Sequence, residues 1–324
     1  MSQYLTLAVN SISFGGLLFL LSAGFSLIFG LMRIPNLMHG SFFVLGAYLG
    51  ASILENGIRL GGMLHPNLHV FGETLFDFTV SLPAVVLLAP HPNFFIAAFI
   101  GGAAVACIGA LIERFLLRRL AGQELPQVLL TLGLSFVVAD ICLMVWTGDP
   151  VQPATPSQLT GAIQVTGLFF PIYRLVVVVV AVVIAVALWL LIDWTRLGAM
   201  IRAGVDDAPI ARVVGIKVSQ LFTLIFALGA GLAAFGGVMS SPILSVYPGL
   251  DAEMLPVALI VVILGGTGSL LGAFVGSFVI SFLYNFALGS PWPLVQNLAY
   301  VILFLPMVVV LVLRPQGLFG KVVP

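Results

Sequence analysis

Charge is what this sequence has least of. Of its 324 residues only 7% are Asp, Glu, Lys or Arg, against roughly a quarter in an ordinary soluble protein. Twelve basic and twelve acidic side chains cannot coat a water-soluble globule of this length when 25 Phe and long Val/Leu/Ile runs must be hidden. The formal net charge is zero, so neither a nucleic-acid footprint nor an acidic tail is available. Lysine is nearly missing, with Lys217 and Lys321 alone. The two cysteines, Cys107 and Cys142, lie inside apolar stretches, where a free thiol behaves as a small hydrophobe. That excludes a disulfide scaffold. Catalytic signatures are absent as well: no His-Glu-x-x-His, no Cys-x-x-Cys and no Gly-x-Ser-x-Gly occurs. His65 and His69 stand four apart, but Pro66 and Gly/Asn-rich surroundings point to a loop and not a metal-binding helix. His91, between two prolines, reads as a turn. The Gly265 to Gly272 segment is glycine-rich without the Gly-Lys-Ser/Thr of a phosphate-binding loop. The chain is expected to be no enzyme and to hold no metal or cofactor of its own. If its work is driven by ATP, a partner must supply the engine.

What is present is apolar length. Hydrophobic residues make up 61% of the chain, and a helix crossing about 30 Å of hydrocarbon needs about 20 of them in a row. Such runs extend from about Leu5 to Leu31, Leu37 to Leu54, Phe94 to Leu117, Pro126 to Trp146, Ile172 to Ile192, Leu221 to Val238 and Leu294 to Leu313, with a divided stretch from Met254 to Leu288. The expected fold is an all-α polytopic membrane bundle of about eight or nine spans in one domain over residues 1–324. The first run has no Lys or Arg ahead of it and no small-residue cleavage site, so it reads as a retained span. Lys and Arg gather in three places: Arg114, Arg118 and Arg119; Arg196, Arg202, Arg212 and Lys217; Arg314 and Lys321. Basic loops stay in the cytoplasm, which puts the loops from Glu55 to Asn93 and Thr147 to Pro171, and the amino terminus, outside.

Two apolar runs are interrupted. The first break is Gly30-Leu-Met-Arg-Ile-Pro-Asn36, and the second is Gly265-Gly-Thr-Gly-Ser269. Broken helices at membrane depth are tolerated where they are buried in protein or line a wet cavity, so one reading is a central pathway flanked by two breaks. The other is a pair of tight turns between short helices. Polar residues at such depth are costly and mark candidates for the pathway: Arg33, Asn36, His39, Asp140, Thr267 and Ser269. Asp140 also fits a carboxylate reaching the outer interface, and Arg33 also fits a marker of the inner boundary. Small residues at Gly268, Gly272 and Gly276, and at Gly229, Ala233 and Gly237, recur four apart and form packing seams.

The loop of about residues 196–218 carries four of the basic residues. Asp206 or Asp207 can cap a helix that accepts Pro209 in its first turn and ends at Gly215, which predicts a short helix from Ala208 to Val214. Ile210, Val213 and Val214 would leave its face more apolar than a solvated loop needs.

The Arg202-Ala-Gly-Val-Asp-Asp-Ala-Pro-Ile-Ala-Arg-Val-Val-Gly-Ile216 stretch resembles the coupling loop of the branched-chain amino-acid ABC transporter permeases, the LivH/LivM kind. Gly30-Leu-Met-Arg-Ile-Pro-Asn-Leu-Met-His-Gly40 resembles that family's Asn-x-x-His-Gly segment, Leu264-Gly-Gly-Thr-Gly-Ser-Leu-Leu-Gly-Ala273 its glycine signature, and Arg314-Pro-Gln-Gly-Leu-Phe-Gly320 its carboxy-terminal ending. The outer loop from Glu55 to Asn93 is a departure, longer than the family pattern. The resemblance implies a permease subunit of the bacterial inner membrane. Its partners would be a second permease, related or identical, two cytoplasmic ATPases holding ATP and Mg²⁺, and a periplasmic solute-binding protein. Arg202, Asp206, Asp207, Ile210, Arg212, Val213 and Gly215 would couple to the ATPase, and Tyr247, Asp251 and Glu253 would meet the binding protein. A small polar solute, above all a branched-chain or other hydrophobic amino acid, would be moved by alternating access. A self-sufficient secondary transporter or channel for a solute such as urea is the alternative.

Overall fold

The computed structural model describes residues 2–32, 36–56, 59–64, 67–70, 73–77, 80–86, 93–165 and 168–320. Arg33, His65, His91 and Lys321, with the rest of the first break through Pro35, lie outside the described residues, as does the side chain of His69.

Long apolar runs become helices because only a helix satisfies its own backbone polar groups away from water. Twelve occur among the described residues: α1 (Ser2–Met32), α2 (His39–Asn56), α3 (Phe94–Phe115), α4 (Glu124–Trp146), α5 (Ile172–Trp194), α6 (Arg196–Asp206), α7 (Ala208–Val213), α8 (Val218–Ser240), α9 (Leu250–Gly265), α10 (Leu270–Leu288), α11 (Pro293–Asn297) and α12 (Ala299–Leu313). Six of them, α1, α3, α4, α5, α8 and α10, are long and apolar enough to cross a membrane; α2 and α12 are shorter apolar helices. The expected outer loops contain paired strands. β1 (Arg59–Leu64) runs antiparallel to β4 (Val80–Val86) around the inner pair β2 (Asn67–Val70) and β3 (Glu73–Asp77), and β5 (Ala162–Val165) pairs with β6 (Leu168–Pro171). Gly/Asn/Pro-rich chain with interspersed Leu and Val suits such hairpins.

Glycine brings the central helices together. A side chain on Gly24 of α1 would strike the Gly229 carbonyl of α8, and one on Gly229 would strike the Gly24 carbonyl. Two backbones thus touch where α1 and α8 cross, the close approach that dispersion-driven association in lipid requires. Around this crossing the packing repeats itself upside down. α10 lies antiparallel on α1, with Gly15 on Phe278, as α3 lies antiparallel on α8, with Gly109 on Ala230. α2 packs on α3 and α4 as α9 packs on α10 and α12, and α2 and α9 also touch each other. The two sets, α1–α4 and α8–α12, run in opposite directions, an inverted repeat of the kind many transporters use.

A tight turn joins α9 to α10. Gly265 lies against Gly272 across the α9–α10 turn, and Gly266 and Gly268 adopt φ of 100° and 79°. The second sequence break is therefore a turn between antiparallel helices. The chain beyond α12 closes over it, with Leu318 N–H donating to Leu264 O at 2.9 Å and Phe319 N–H to Gly265 O at 3.0 Å. The first break behaves differently. α1 enters it and ends at Met32 after 31 residues, about 46 Å at 1.5 Å per residue, while α2 starts beside Leu21, well back along α1. The two outward faces of α4 and α5 stay apolar and uncovered, as at Leu129, Phe136, Val179 and Val183, which suits contact with lipid.

Candidate functional site

The described basic residues of the three clusters meet at one end of the bundle. Arg118, just past α3, donates to Ser219 O at the start of α8 at 2.9 Å, to Thr223 Oγ1, and to Glu113 Oε2 at 3.1 Å. Thr223 donates in turn to the same Glu113 oxygen at 2.5 Å. Gly204 of α6 packs on Val218 and Leu221, and Gly30 at the end of α1 lies against Gly268 in the turn that the Arg314 segment covers. Of the other described arginines, Arg174 is at the opposite end of α5, bonded to Asn10, and Arg59 opens β1. Charge therefore separates along the bundle axis as the positive-inside rule requires.

At the basic end, α6 and α7 form a helical pair. Thr195 Oγ1 caps α6 by accepting from Gly198 N–H at 3.1 Å, and Asp207 Oδ1 caps α7 by accepting from Ile210 N–H at 2.9 Å. Pro209 sits in the first turn of α7, and Gly215, at φ 93°, turns the chain out of it. The helix ends at Val213, one residue short of the expectation, and the preceding helix α6 was not foreseen. Arg202 bonds Ile192 O and stands 3.5 Å from the Asp193 carboxylate, which straps α6 to the end of α5. Asp206, Asp207 and Arg212 are exposed. Only Ala211 of α7 is buried, whereas Ile210, Val213 and Val214 are 62%, 89% and 75% exposed. The face is thus more apolar than solvent contact alone requires.

At mid-bundle, the start of α2 gathers polar groups from four helices. His39 is fully buried, and its Nε2 pairs with Leu21 O of α1 at 2.9 Å. Asn36, 3% exposed, accepts from Met38 N–H through Oδ1 at 3.1 Å and from His39 N–H through its carbonyl. Thr131 Oγ1 of α4 accepts from Leu37 N–H at 3.3 Å, and Ser41 donates to Asp251 Oδ2 of α9 at 2.9 Å. Asn36 Nδ2, His39 Nδ1 and the nearby Gln127 Oε1 are buried without a hydrogen-bond partner. Unpaired buried polar atoms are costly, so Asn36 and His39 together at the start of α2 mark a place built for more than packing. Thr131, Gln127 and Ser41 were missed in the sequence, although Gln127 and Thr131 stand four apart in an otherwise apolar span, which is a readable signal.

The other pathway candidates lie elsewhere. Thr267 is exposed in the α9–α10 turn, and Ser269 caps α10 by accepting from Gly272 N–H at 3.0 Å. Both are at the level of Gly30, nine residues along α1 from Leu21, or about 13 Å from His39. Asp140 is exposed on the outward face of α4 beside Val137 and Ile141, away from the buried polar centre. Arg33 is outside the described residues. Among the outer-end candidates, Tyr247 donates to Glu253 Oε1 at 2.7 Å, a bond that holds its hydroxyl up at about 12, with burial adding to the effect. Asp251 turns inward to Ser41.

Membrane-length helices, an inverted repeat with two short inner helices, and an uncovered helical hairpin at the basic end define a polytopic transport permease. The chain belongs to the family described as branched-chain amino acid transport system / permease component, whose model matches residues 7–311. It is similar to the high-affinity branched-chain amino acid transport system permease protein BraD of Pseudomonas aeruginosa, at 24% identity over 98% of this chain and 96% of that one. LivH of Escherichia coli K12, with the same description, is 23% identical over 96% of this chain and 94% of its own. The autoinducer 2 import system permease protein LsrC of Klebsiella pneumoniae is 32% identical, but over 52% of this chain and 49% of that one. No solved structure matches. The protein is thus a multi-pass inner-membrane permease.

Proposed function

We propose that this chain is the membrane subunit of an ATP-driven importer, and that its solute is a branched-chain or other hydrophobic amino acid. The observation that carries the reading is the bare apolar face of α7, set among Arg212, Asp206 and Asp207 at the basic end. ATP and Mg²⁺ sit on two cytoplasmic ATPase subunits, and α7 docks in a cleft of one of them. A second permease copy or a related chain completes the membrane part, and a periplasmic binding protein delivers solute to the outer end near Tyr247 and Glu253. Arg202 and Gly215 act by holding the hairpin in shape; Ile210, Arg212 and Val213 make the contact. The α2 start, with Asn36, His39 and the Ser41–Asp251 bond, is the interior point the pathway passes as α2 and α9 move against each other.

The amino-acid class draws support from relatives named for branched-chain amino acids that match nearly end to end. The relative named for autoinducer 2 import keeps other small solutes within the family's reach. The test is Val213→Asp together with Arg212→Ala in the reconstituted transporter. Loss of ATPase-coupled uptake, with normal permease yield and melting, is expected. Undiminished uptake sinks the reading, as does solute movement by this chain alone down a gradient, which would make it a channel or secondary transporter.

A further inference from the structure

The outer end carries a small cavity that the pathway leaves unused. It holds about 20 Å³, room for one water-sized group and far short of a whole amino acid. Four helices wall it, chiefly through Phe14 of α1, Glu253 and Met254 of α9, Tyr284 of α10, and Tyr300 and Leu303 of α12. The rings form a continuous surface: Phe14 and Tyr284 have centroids 5.7 Å apart, as do Tyr284 and Tyr300. The Tyr284 and Tyr300 hydroxyls meet at 3.4 Å. Tyr247, from the loop before α9, fixes the Glu253 carboxylate through Oε1. Glu253 takes part in neither of the ion pairs recorded among the described residues, Arg118–Glu113 and Arg202–Asp193.

An aromatic face attracts a cation held within about 6 Å of its centroid, and a carboxylate alongside adds a full countercharge. An anion is repelled by Glu253. A planar guanidinium is too broad for this volume, whereas the head of a primary amine is close to the size of a water. We propose that the cavity is an ammonium site, with Glu253 as counter-ion and Phe14, Tyr284 and Tyr300 as its ring wall. The amine comes either from the solute or from a lysine of a docked protein, and only this choice of source rests on the import reading.

The chemistry is tested on the purified permease with methylammonium chloride as the probe, against equal sodium chloride. A rise in melting temperature is expected for wild type and for Tyr300→Phe, which keeps the ring. The rise is lost in Glu253→Gln and in Tyr300→Leu. An equal response of wild type and Glu253→Gln overturns the site, and so does a wild type that does not respond; either result leaves the α7 coupling test untouched. The source is read in the reconstituted transporter. Glu253→Gln weakening binding-protein docking roughly tenfold, with the binding protein's own solute affinity unchanged, assigns the lysine. Slower uptake of amino acid with docking intact assigns the solute amine. No change in either overturns both sources.

Discussion

Removal of the Arg118 guanidinium tests how the basic end is held. Glu113 keeps only 3% of its side chain exposed, and Arg118, 3.1 Å away, keeps 34%. At that distance and an effective dielectric of about 20 the gross attraction is about 5 kcal/mol. Removing one partner of a buried pair costs about 3–5 kcal/mol, because the charge left behind has lost its solvent as well as its mate. Since a third of Arg118 is in solvent, screening lowers the expectation for Arg118→Met to about 2–3 kcal/mol. Thr223 remains as a donor to Glu113 but cannot neutralise it. Adding Glu113→Gln removes the stranded charge, so the double variant should recover to within about 1 kcal/mol of wild type. Denaturation of the three purified proteins in one detergent measures the differences. A double variant no more stable than Arg118→Met refutes the argument, because the loss would then lie in the bonds to Ser219 and Thr223 and not in the charge.

Gly229→Leu should abolish folded permease, since its side chain would occupy the Gly24 carbonyl where α1 and α8 touch; yield and gel-filtration profile check this. Gly215→Ala places a side chain at φ 93°, which costs about 1–2 kcal/mol. It should loosen the α6–α7 pair, seen as faster proteolysis there with the bundle's melting little changed. The Tyr247 hydroxyl, raised to about 12 by its bond to Glu253, favours the folded loop below its ordinary value near 10, and that support is lost as pH climbs through 12. Tyrosinate absorbance should therefore lose a late-titrating group in Tyr247→Phe.

The polytopic class was legible because lipid imposes a length and a charge rule that the sequence must state openly. The α7 cap was legible for a local reason: Asp207, Pro209 and Gly215 act within a few residues of one another. The start of α2 beside Leu21 was not, because its position depends on Gly24, Gly229 and Thr131, far apart in the chain. Nor was the contrast between the two breaks. Gly265 to Ser269 and Gly30 to Asn36 both interrupt apolar runs with helix-disfavouring residues, and the packing of Gly265 on Gly272 makes the first of these a plain turn. The hairpins of the outer loops were missed although Phe76 to Leu82 and Asn67 to Val70 alternate apolar and polar, the pattern of a half-buried strand.

The inverted packing also gives α5 a role unrelated to its contacts. Each of the two matching sets holds four main helices that run alternately up and down the bundle, and four such helices return a chain to the end from which it set out. Without one further pass the second set would enter the membrane in the same sense as the first. α5 is that odd pass. It reverses the second set against the first, and its near-featureless valine run suits a helix whose main duty is parity.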